Sequence, residues 1–340
     1  MTKHIEGLVA APFTAMNPDC SINLEVVEKQ ANFLYDNGVQ GVFICGTTGE
    51  SMSLNTEERK DIAQRWVETS PAGLKVIIHV GHTSIEDCKT LGAHAQKIGA
   101  WGIGAMGPSF FIPANVEDLV SFCAEVAGSA PDLPFYYYHM PSITHINFPM
   151  ISFLEHASDK ILNLAGIKYT YEDLMDYQLC LNYDDGRYDI LFGRDEILVC
   201  AMTLGARGAV GSTYNFAAPL YNKLIKAFDS GDIQQARELQ KQSIDMIQVL
   251  IKSPGSFNAV GKAIMTMLGI DCGPVRSPLS NITQLQYQNL KAELEKIGFF
   301  ENCSIDKATD GTQGKTKYAI SEIKTKGKTK PTTESALSKK

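Results

Sequence analysis

The sequence predicts an α/β fold, a (β/α)₈ barrel with a C-terminal extension of three helices. Short apolar runs alternate with longer amphipathic segments over about 230 of the 340 residues, the size of such a barrel. The runs are apolar on both faces, as parallel strands covered by helices must be. An open doubly wound sheet is the alternative, but its fingerprint, GxGxxG after the first strand, is missing. The eight runs span residues 7–11, 41–45, 76–80, 102–106, 135–138, 164–168, 189–192 and 208–211.

Polar side chains mark where several intervening helices begin, because they can accept hydrogen bonds from the first helical turn. Glycines mark where helices end, since glycine adopts the positive φ that closes a helix. We expect helix starts after Asn23, after Asn55 or Thr56, and after Ser84, where Asp87 stands at capping-box spacing. We expect helix ends at Gly38, Gly99 and Gly205.

After the eighth run the alternation stops and four helical segments follow. The first, residues 217–229, closes the barrel. We therefore expect a barrel over residues 1–230, a helical extension of the same domain over 231–300 and a disordered basic tail over 301–340. The tail is rich in Lys, Thr, Ser and Gly and has few large apolar residues, a composition that cannot bury a core. The extension's three helices are expected at residues 233–252, 257–268 and 282–297.

Composition and charge narrow the class of function. The net charge of −7 argues against a nucleic-acid partner. No stretch approaches the ~18 apolar residues of a membrane span and the amino terminus has no signal core, so we expect a cytoplasmic protein without a membrane partner. The eight cysteines form no CxxC pair and are expected to be free thiols. His79 and His82 flank the end of the third run without a third ligand, so we predict no metal site.

Lys168 is the first candidate for catalysis, because catalytic groups of such barrels gather at the carboxyl ends of the strands. It ends the sixth run, where burial would lower the pKa of its amine. A neutral amine can condense with a carbonyl. Tyr138 ends the neighbouring fifth run, which brings its phenol near Lys168. The ordinary alternatives are a lysine that reaches solvent and a buried tyrosine whose hydroxyl merely finds a partner.

Two further segments follow strand ends. Gly46-Thr47-Thr48-Gly49 could form a small anion cradle, because its glycines let backbone approach a ligand and its threonines supply hydroxyls. An ordinary glycine-rich turn is the alternative, and no GK[ST] follows to make a P-loop. Asp195 and Glu196 follow the seventh run, where they could cap the next helix or accept hydrogen bonds from a polyhydroxylated substrate.

These motifs are similar to the signature of the dihydrodipicolinate synthase/N-acetylneuraminate lyase superfamily, whose members are Schiff-base aldolases on TIM barrels. The resemblance covers about residues 5–300 and rests on segments in the same order and spacing. Within the superfamily the chain most resembles the animal-type branch that acts on sialic acid. The signature segments are Gly46-Thr47-Thr48-Gly49-Glu50, Tyr138 and Gly166-Ile167-Lys168-Tyr169-Thr170, and residues 134–141, 191–196, 208–215 and 262–265 carry the closer match.

The resemblance implies reversible cleavage of N-acetylneuraminate, a sialic acid, to N-acetylmannosamine and pyruvate. It implies that Lys168 forms an imine with the 2-keto carbon and that Tyr138 transfers the proton. Thr47 and Thr48 would hold the pyruvate carboxylate. No metal or organic cofactor is needed, and a homotetramer is implied. The residues implied to contact the hydroxylated sugar chain are Gly193, Asp195, Glu196 and Ser212, with Thr170 nearby.

Two departures separate the chain from the synthase branch of the superfamily. That branch carries an arginine for a second carboxylate, whereas Pro141-Ser142-Ile143-Thr144 has none, which argues against a dicarboxylate product. It also lends a tyrosine across the dimer interface from the loop after the fourth strand. Residues 108–113 contain no tyrosine here, so we expect no such relay. A sibling aldolase for a keto-deoxy sugar acid and a ligand-binding barrel without turnover remain the alternatives.

Overall fold

The computed structural model describes residues 4–303. Its eight strands form one closed parallel barrel, in which each strand pairs with the next and the first pairs with the eighth. The predicted barrel is therefore confirmed, and no strand boundary differs from its predicted position by more than one residue. The strands are β1 (Gly7–Ala10), β2 (Gly41–Ile44), β3 (Lys75–His79), β4 (Gly102–Ala105), β5 (Phe135–His139), β6 (Leu164–Tyr169), β7 (Asp189–Phe192) and β8 (Gly208–Gly211).

Helices alternate with the strands and cover the outside of the barrel, and further helices follow the last strand. Short 3₁₀ turns precede or follow some of them. The helices are α1 (Val27–Asp36), α2 (Thr56–Thr69), α3 (Ile85–Lys97), α4 (Val116–Gly128), α5 (Pro141–Thr144), α6 (Met150–Ala157), α7 (Leu174–Asn182), α8 (Leu198–Thr203), α9 (Tyr214–Asp229), α10 (Ile233–Lys252), α11 (Phe257–Met267), α12 (Gln284–Lys296) and α13 (Phe299–Cys303).

The predicted helix signals operate with two differences. Asn23 caps a short 3₁₀ turn, Leu24–Val26, that leads into α1. Asn55 caps α2 in a full capping box, because its side chain accepts from Glu58 N–H and the Glu58 carboxylate accepts from Asn55 N–H. Ser84 caps α3 by accepting from Asp87 N–H, whereas the Asp87 carboxylate accepts from the Thr56 hydroxyl at 2.8 Å. In a full capping box the Asp87 carboxylate would accept from the Ser84 N–H. At α3 it accepts instead from Thr56 of α2. The three predicted stop glycines, Gly38, Gly99 and Gly205, all have positive φ.

Side chains that alternate along the strands build two layers of core. The outer layer lies between strands and helices and includes Trp66 and Phe153. The inner layer fills the barrel and includes Phe43, Tyr136 and Tyr138. Tyr138 is therefore packed inside the barrel, on the side of the sheet where a substrate could reach it.

The segments after β8 differ slightly from their predicted bounds. α10 has the predicted bounds, but α9 begins at Tyr214 instead of residue 217. Ala217 has a φ of −129°, so the first turn of α9 is separated from the rest by a kink that periodicity did not register. α12 begins at Gln284 because Thr283 caps it.

Helix α13 was not predicted, and residues 301–303 of the expected basic tail belong to it. The remainder of that tail, residues 304–340, lies outside the described residues. Within residues 4–303, no helix has both the length and the apolar character needed to cross a membrane.

Candidate active site

Strand pairing brings Lys168 against Tyr138. The two residues are direct partners in the β5–β6 register. The Lys168 side chain is buried, and its Nζ lies 3.8 Å from the Tyr138 ring centroid and 4.3 Å from that of Phe43. Burial lowers the pKa of the Lys168 amine, although the neighbouring Tyr138 and Asp195 oppose the shift. More of this amine is therefore neutral near pH 7 than in an exposed lysine, which makes it a better nucleophile.

A cavity of about 340 Å³ opens at this end of the barrel and is lined by Lys168 and Tyr138. All nine residues that the sequence singled out lie on its wall, contributed by the ends of β5 and β6 and by the segments after β2, β6, β7 and β8. A larger cavity of about 450 Å³ lies at the amino-terminal end of β1 and β8 and contains none of them. The nine residues are Thr47, Thr48, Tyr138, Lys168, Thr170, Gly193, Asp195, Glu196 and Ser212.

The loop after β2 has the geometry of an anion cradle. Cys45 and Glu50 both have positive φ at its two ends. A Cβ on Gly49 would approach the Cys45 backbone to 3.1 Å, so the turn favours glycine there. Among the described residues, the backbone N–H groups of Thr47 and Thr48 donate to no protein acceptor. Those two N–H groups remain available for an anionic ligand.

The Tyr138 phenol connects the cradle to the lysine. Its hydroxyl lies 3.4 Å from Thr47 Oγ1 and 3.2 Å from Met140 Sδ. Its ring packs edge-on against Phe43 and His79, at centroid distances of 5.4 and 5.9 Å. The ring is thus fixed by packing, while the hydroxyl lies at the cavity wall between the two ends of the site.

The other end of the cavity is polar and acidic. Asp195 is buried, and its Oδ2 accepts hydrogen bonds from Thr213 N–H at 3.0 Å and Thr213 Oγ1–H at 2.6 Å. Burial raises the pKa of Asp195 to about 6. Asp195 makes no cap bond to the helix that follows it, so it anchors the loop after β8 instead. Glu196 is more exposed and lies 3.8 Å from Arg194.

Gly193 allows the loops after β6 and β7 to meet. A Cβ at this position would lie 2.1 Å from Thr170 Oγ1. Glycine is therefore required here by close approach, which is a structural reason for the residue beside any contact that its backbone makes with substrate.

Sequence reasoning missed the contribution of the C-terminal helices. Ile247 and Ile251 of α10 and Phe257 and Asn258 of α11 also line the cavity. Asn258 Nδ2–H donates to the Thr47 carbonyl at 3.3 Å. The available signal was the run of apolar residues in α11 and at the end of α10, but periodicity does not reveal what such a run covers.

A second missed feature is a buried ion pair beneath the cradle. Lys262 Nζ lies 2.6 Å from Glu50 Oε1, with side chains that are 2% and 0% exposed. Glu50 follows the cradle, and Lys262 stands in the apolar sequence of α11. A charged residue within that apolar sequence was a signal for a buried partner, but the sequence did not identify the partner.

His79 is a structural residue. Its ring lies within hydrogen-bond distance of Ser51 and the Cys45 carbonyl, and Arg59 donates to its backbone carbonyl. Burial, Arg59 and Lys168 hold the pKa of His79 well below its usual value. Among residues 4–303, no group of three or more His, Cys, Asp or Glu side chains is arranged to hold a metal ion.

The fold and the site define a class of barrel enzyme, and comparison with known proteins gives its family. The model of the dihydrodipicolinate synthetase family matches residues 4–297, and the chain belongs to this family. N-acetylneuraminate lyase of Mus musculus is 39% identical to it over 307 residues, which are 89% of this chain and 96% of that protein. The resemblance found in the sequence is thereby confirmed.

Solved structures give the same result. Proteus mirabilis N-acetylneuraminate lyase superposes with a TM-score of 0.85 at 40% identity. The match covers 87% of this chain and 100% of the Proteus mirabilis chain. A Ruminococcus gnavus sialic acid aldolase, described as a catalytic lysine mutant, has a TM-score of 0.83 at 25% identity and covers 88% of this chain and 98% of that one.

Proposed function

We propose that this protein is a class I aldolase that cleaves N-acetylneuraminate reversibly to N-acetylmannosamine and pyruvate. The observation that carries the proposal is the buried Lys168 amine, with its lowered pKa, against Tyr138 in a cavity with two different polar ends. Relatives about 40% identical over most of the chain are named N-acetylneuraminate lyases, which supports the choice of substrate.

The cradle would bind the substrate first. The open-chain form of N-acetylneuraminate carries a carboxylate next to its 2-keto carbon. Thr47 and Thr48 have free backbone N–H groups and hydroxyls that suit this carboxylate. A ligand held there would place its keto carbon toward Lys168, and such positioning converts imine formation into an intramolecular step.

Lys168 and Tyr138 would then carry the bond cleavage. The neutral amine adds to carbon 2, and the resulting hydroxyl leaves as water with the proton of the Tyr138 phenol. This gives an iminium that acts as an electron sink, and a Tyr138 phenolate. Tyr138 takes the proton of the carbon-4 hydroxyl, the bond between carbons 3 and 4 breaks, and its electron pair forms an enamine. N-acetylmannosamine leaves as the aldehyde. Protonation of the enamine at carbon 3 and hydrolysis of the imine release pyruvate and restore Lys168.

The acidic end would hold the sugar chain. Glu196, Ser212 and the Gly193 backbone lie on the cavity wall at the carboxyl ends of β7 and β8. Carboxylates and hydroxyls accept hydrogen bonds from sugar hydroxyls. We propose that Asp195 has a double role, because it also holds the loop that carries Ser212 through its bonds to Thr213. Thr170 lies beside Gly193 and completes this wall.

We further propose a cytoplasmic homotetramer, as the family resemblance implies. Two large apolar side chains in the loop after β4 support contact with another subunit, since Phe110 and Phe111 are 77% and 83% exposed. Light scattering of the purified protein would give its mass, and a monomeric mass would contradict the assembly.

Borohydride trapping tests the mechanism. In the presence of pyruvate and borohydride, the wild-type protein is expected to gain a reduced pyruvate adduct on Lys168, identified by peptide mass spectrometry. Lys168→Ala is expected to gain none. Tyr138→Phe keeps the amine and is expected to retain trapping, while its rate of pyruvate release from N-acetylneuraminate falls about 10²–10⁴-fold. A wild-type protein without an adduct on Lys168 would falsify the Schiff-base mechanism.

Substrate choice needs a separate measurement. We expect pyruvate release from N-acetylneuraminate to exceed release from keto-deoxy sugar acids that lack the acetamido group. The opposite ranking would assign the chain to the sibling aldolases, and no release from any of these compounds would favour a binding protein without turnover.

A further inference from the structure

Helix α11 holds the loop after β2 from outside the barrel. Asn258 donates to the Thr47 carbonyl at 3.3 Å, and Lys262 lies 2.6 Å from Glu50 Oε1. Asn258 and Lys262 are four residues apart and therefore lie on the same face of α11. One helix face thus contacts both ends of the segment that contains Thr47 and Thr48.

The Glu50 side chain is fully buried. The Glu50 Oε1 atom faces Lys262, and Oε2 accepts a hydrogen bond from the backbone N–H of Arg276 at 2.9 Å. Lys262 in turn donates to the Pro274 carbonyl at 2.6 Å. Glu50 has a φ of +58°, which residues with side chains seldom adopt. These contacts hold the loop in a shape that its own sequence does not favour.

Charge gives this pair a role beyond holding the loop. The free N–H groups of Thr47 and Thr48 lie three and two residues before Glu50, and the proposed substrate carboxylate binds at these N–H groups. A buried, unpaired negative charge so close would oppose the binding of a second anion, because like charges repel and their repulsion is weakly screened inside a protein. The Lys262 ammonium cancels that charge without entering the cavity.

We propose that Lys262, acting through Glu50, is a positioning residue that makes the cradle able to accept a carboxylate. This role rests on the proposed function, since it takes the pyruvate carboxylate as the anion that occupies the cradle. It assigns the C-terminal extension a part in substrate binding that the barrel loops do not supply alone.

The test compares an anionic and a neutral ligand of the same shape. Pyruvate and its methyl ester both offer a keto carbon to Lys168, but only pyruvate carries a charge. In Lys262→Met, the pyruvate concentration that half-saturates borohydride trapping at pH 8.5 is expected to rise on the order of tenfold, while that for methyl pyruvate stays within about twofold. If the role of Lys262 is purely structural, Lys262→Met is expected to lose affinity for both compounds equally.

Glu50→Gln is a second variant, in which pyruvate affinity is expected to be kept. It removes the negative charge but keeps an acceptor for the Arg276 N–H, so half-saturation by pyruvate is expected not to rise. Adding Glu50→Gln to Lys262→Met is expected to restore most of the pyruvate affinity that the single variant loses. The control is Lys241→Met, which breaks an exposed ion pair of the same 2.6 Å length on α10. It is expected to leave the half-saturating concentrations of pyruvate and methyl pyruvate unchanged.

Three results would overturn the role of Lys262. The first is an equal loss of affinity for pyruvate and methyl pyruvate in Lys262→Met, and the second is an unchanged affinity for pyruvate in that variant. The third is a loss of pyruvate affinity in Glu50→Gln as large as the one expected for Lys262→Met. If Lys262→Met does not fold, Glu50→Gln and the double variant carry the test. Absence of trapping in the wild-type protein would instead overturn the proposed function, and that result is visible before any variant is made.

Discussion

Lys168 owes its chemistry to its place on a strand. It is one of six consecutive buried residues of β6, and its amine lies against the rings of Phe43 and Tyr138. Burial of this amine costs free energy, which the packing of the barrel supplies. The same packing that lowers the pKa of Lys168 also fixes the amine beside Tyr138 at the cavity wall, so one arrangement serves both activation and positioning.

Asp195 illustrates the cost of an acidic site at the residue scale. Its folded-state pKa of about 6 lies above the ordinary value of 3.8. A raised carboxyl pKa means that the folded protein binds this proton more tightly than the unfolded chain does. The contribution of Asp195 to stability therefore falls as the pH rises from about 4 to about 6, and it stays low above that range.

We predict that Asp195→Asn removes this dependence on pH. The free energy of unfolding of the wild type, minus that of Asp195→Asn, is expected to fall by about 2 kcal/mol between pH 4 and pH 6. This is most of the about 3 kcal/mol that about two pKa units at 1.36 kcal/mol each give over the whole titration. Urea unfolding of both proteins across this range would measure it. Asp189, whose pKa is also raised to about 6, is present in both proteins and cancels in the difference. A difference that stays flat or grows with pH would contradict the prediction.

At the scale of elements, local signals set where helices begin. Asn55 satisfies the first turn of α2 through a capping box that involves only nearby residues. Glu58 of that box also pairs with Arg276 of the segment after α11. The helix start is therefore a local event that was readable from sequence, while its second partner is a long-range one that was not.

Asn55→Ala should lower stability without affecting catalysis. Loss of the cap is expected to reduce the free energy of unfolding by about 1 kcal/mol, since one N–H of the first turn loses its acceptor. Urea unfolding would measure this loss, and pyruvate release at saturating N-acetylneuraminate is expected to be unchanged. Asn32→Ala on α1 is the matched control, because Asn32 is not a cap, and its effect is expected to stay within about 0.5 kcal/mol. Equal losses in the two variants would contradict the role of the cap.

At the scale of the whole molecule, the barrel and the C-terminal helices build one site. The barrel supplies the nine residues singled out from sequence, and α10 and α11 supply the apolar wall and Asn258. Within residues 4–303, those that line the cavity all precede residue 259. Among the described residues that follow them, Lys262 and Arg276 reach the site through their contacts with Glu50.

Removal of residues 304–340 is expected to leave the enzyme intact. The composition of that segment offers few apolar side chains for a core, and every residue placed in the proposed mechanism lies before it. A chain that ends at residue 303 is expected to keep the melting temperature and the rate of pyruvate release of the full chain. Loss of either property would show that the segment contributes to the fold or the site.

The sequence by itself determined the barrel, because each strand and each helix start depends on residues within one short segment. Eight apolar runs, caps such as Asn55 and stop glycines such as Gly38 are local signals. The barrel rule then placed Lys168 and Tyr138 side by side, since consecutive strands are neighbours.

Only the tertiary structure decided which distant groups meet. Asp195 could have capped a helix, and it binds Thr213 instead. Glu50 and Lys262 were visible as separate motifs, but periodicity records only which face of a segment is apolar and not which segment will cover it. Such long-range pairs depend on how α11 packs against the carboxyl end of the barrel, where each buried charge offsets part of the cost of burying its partner.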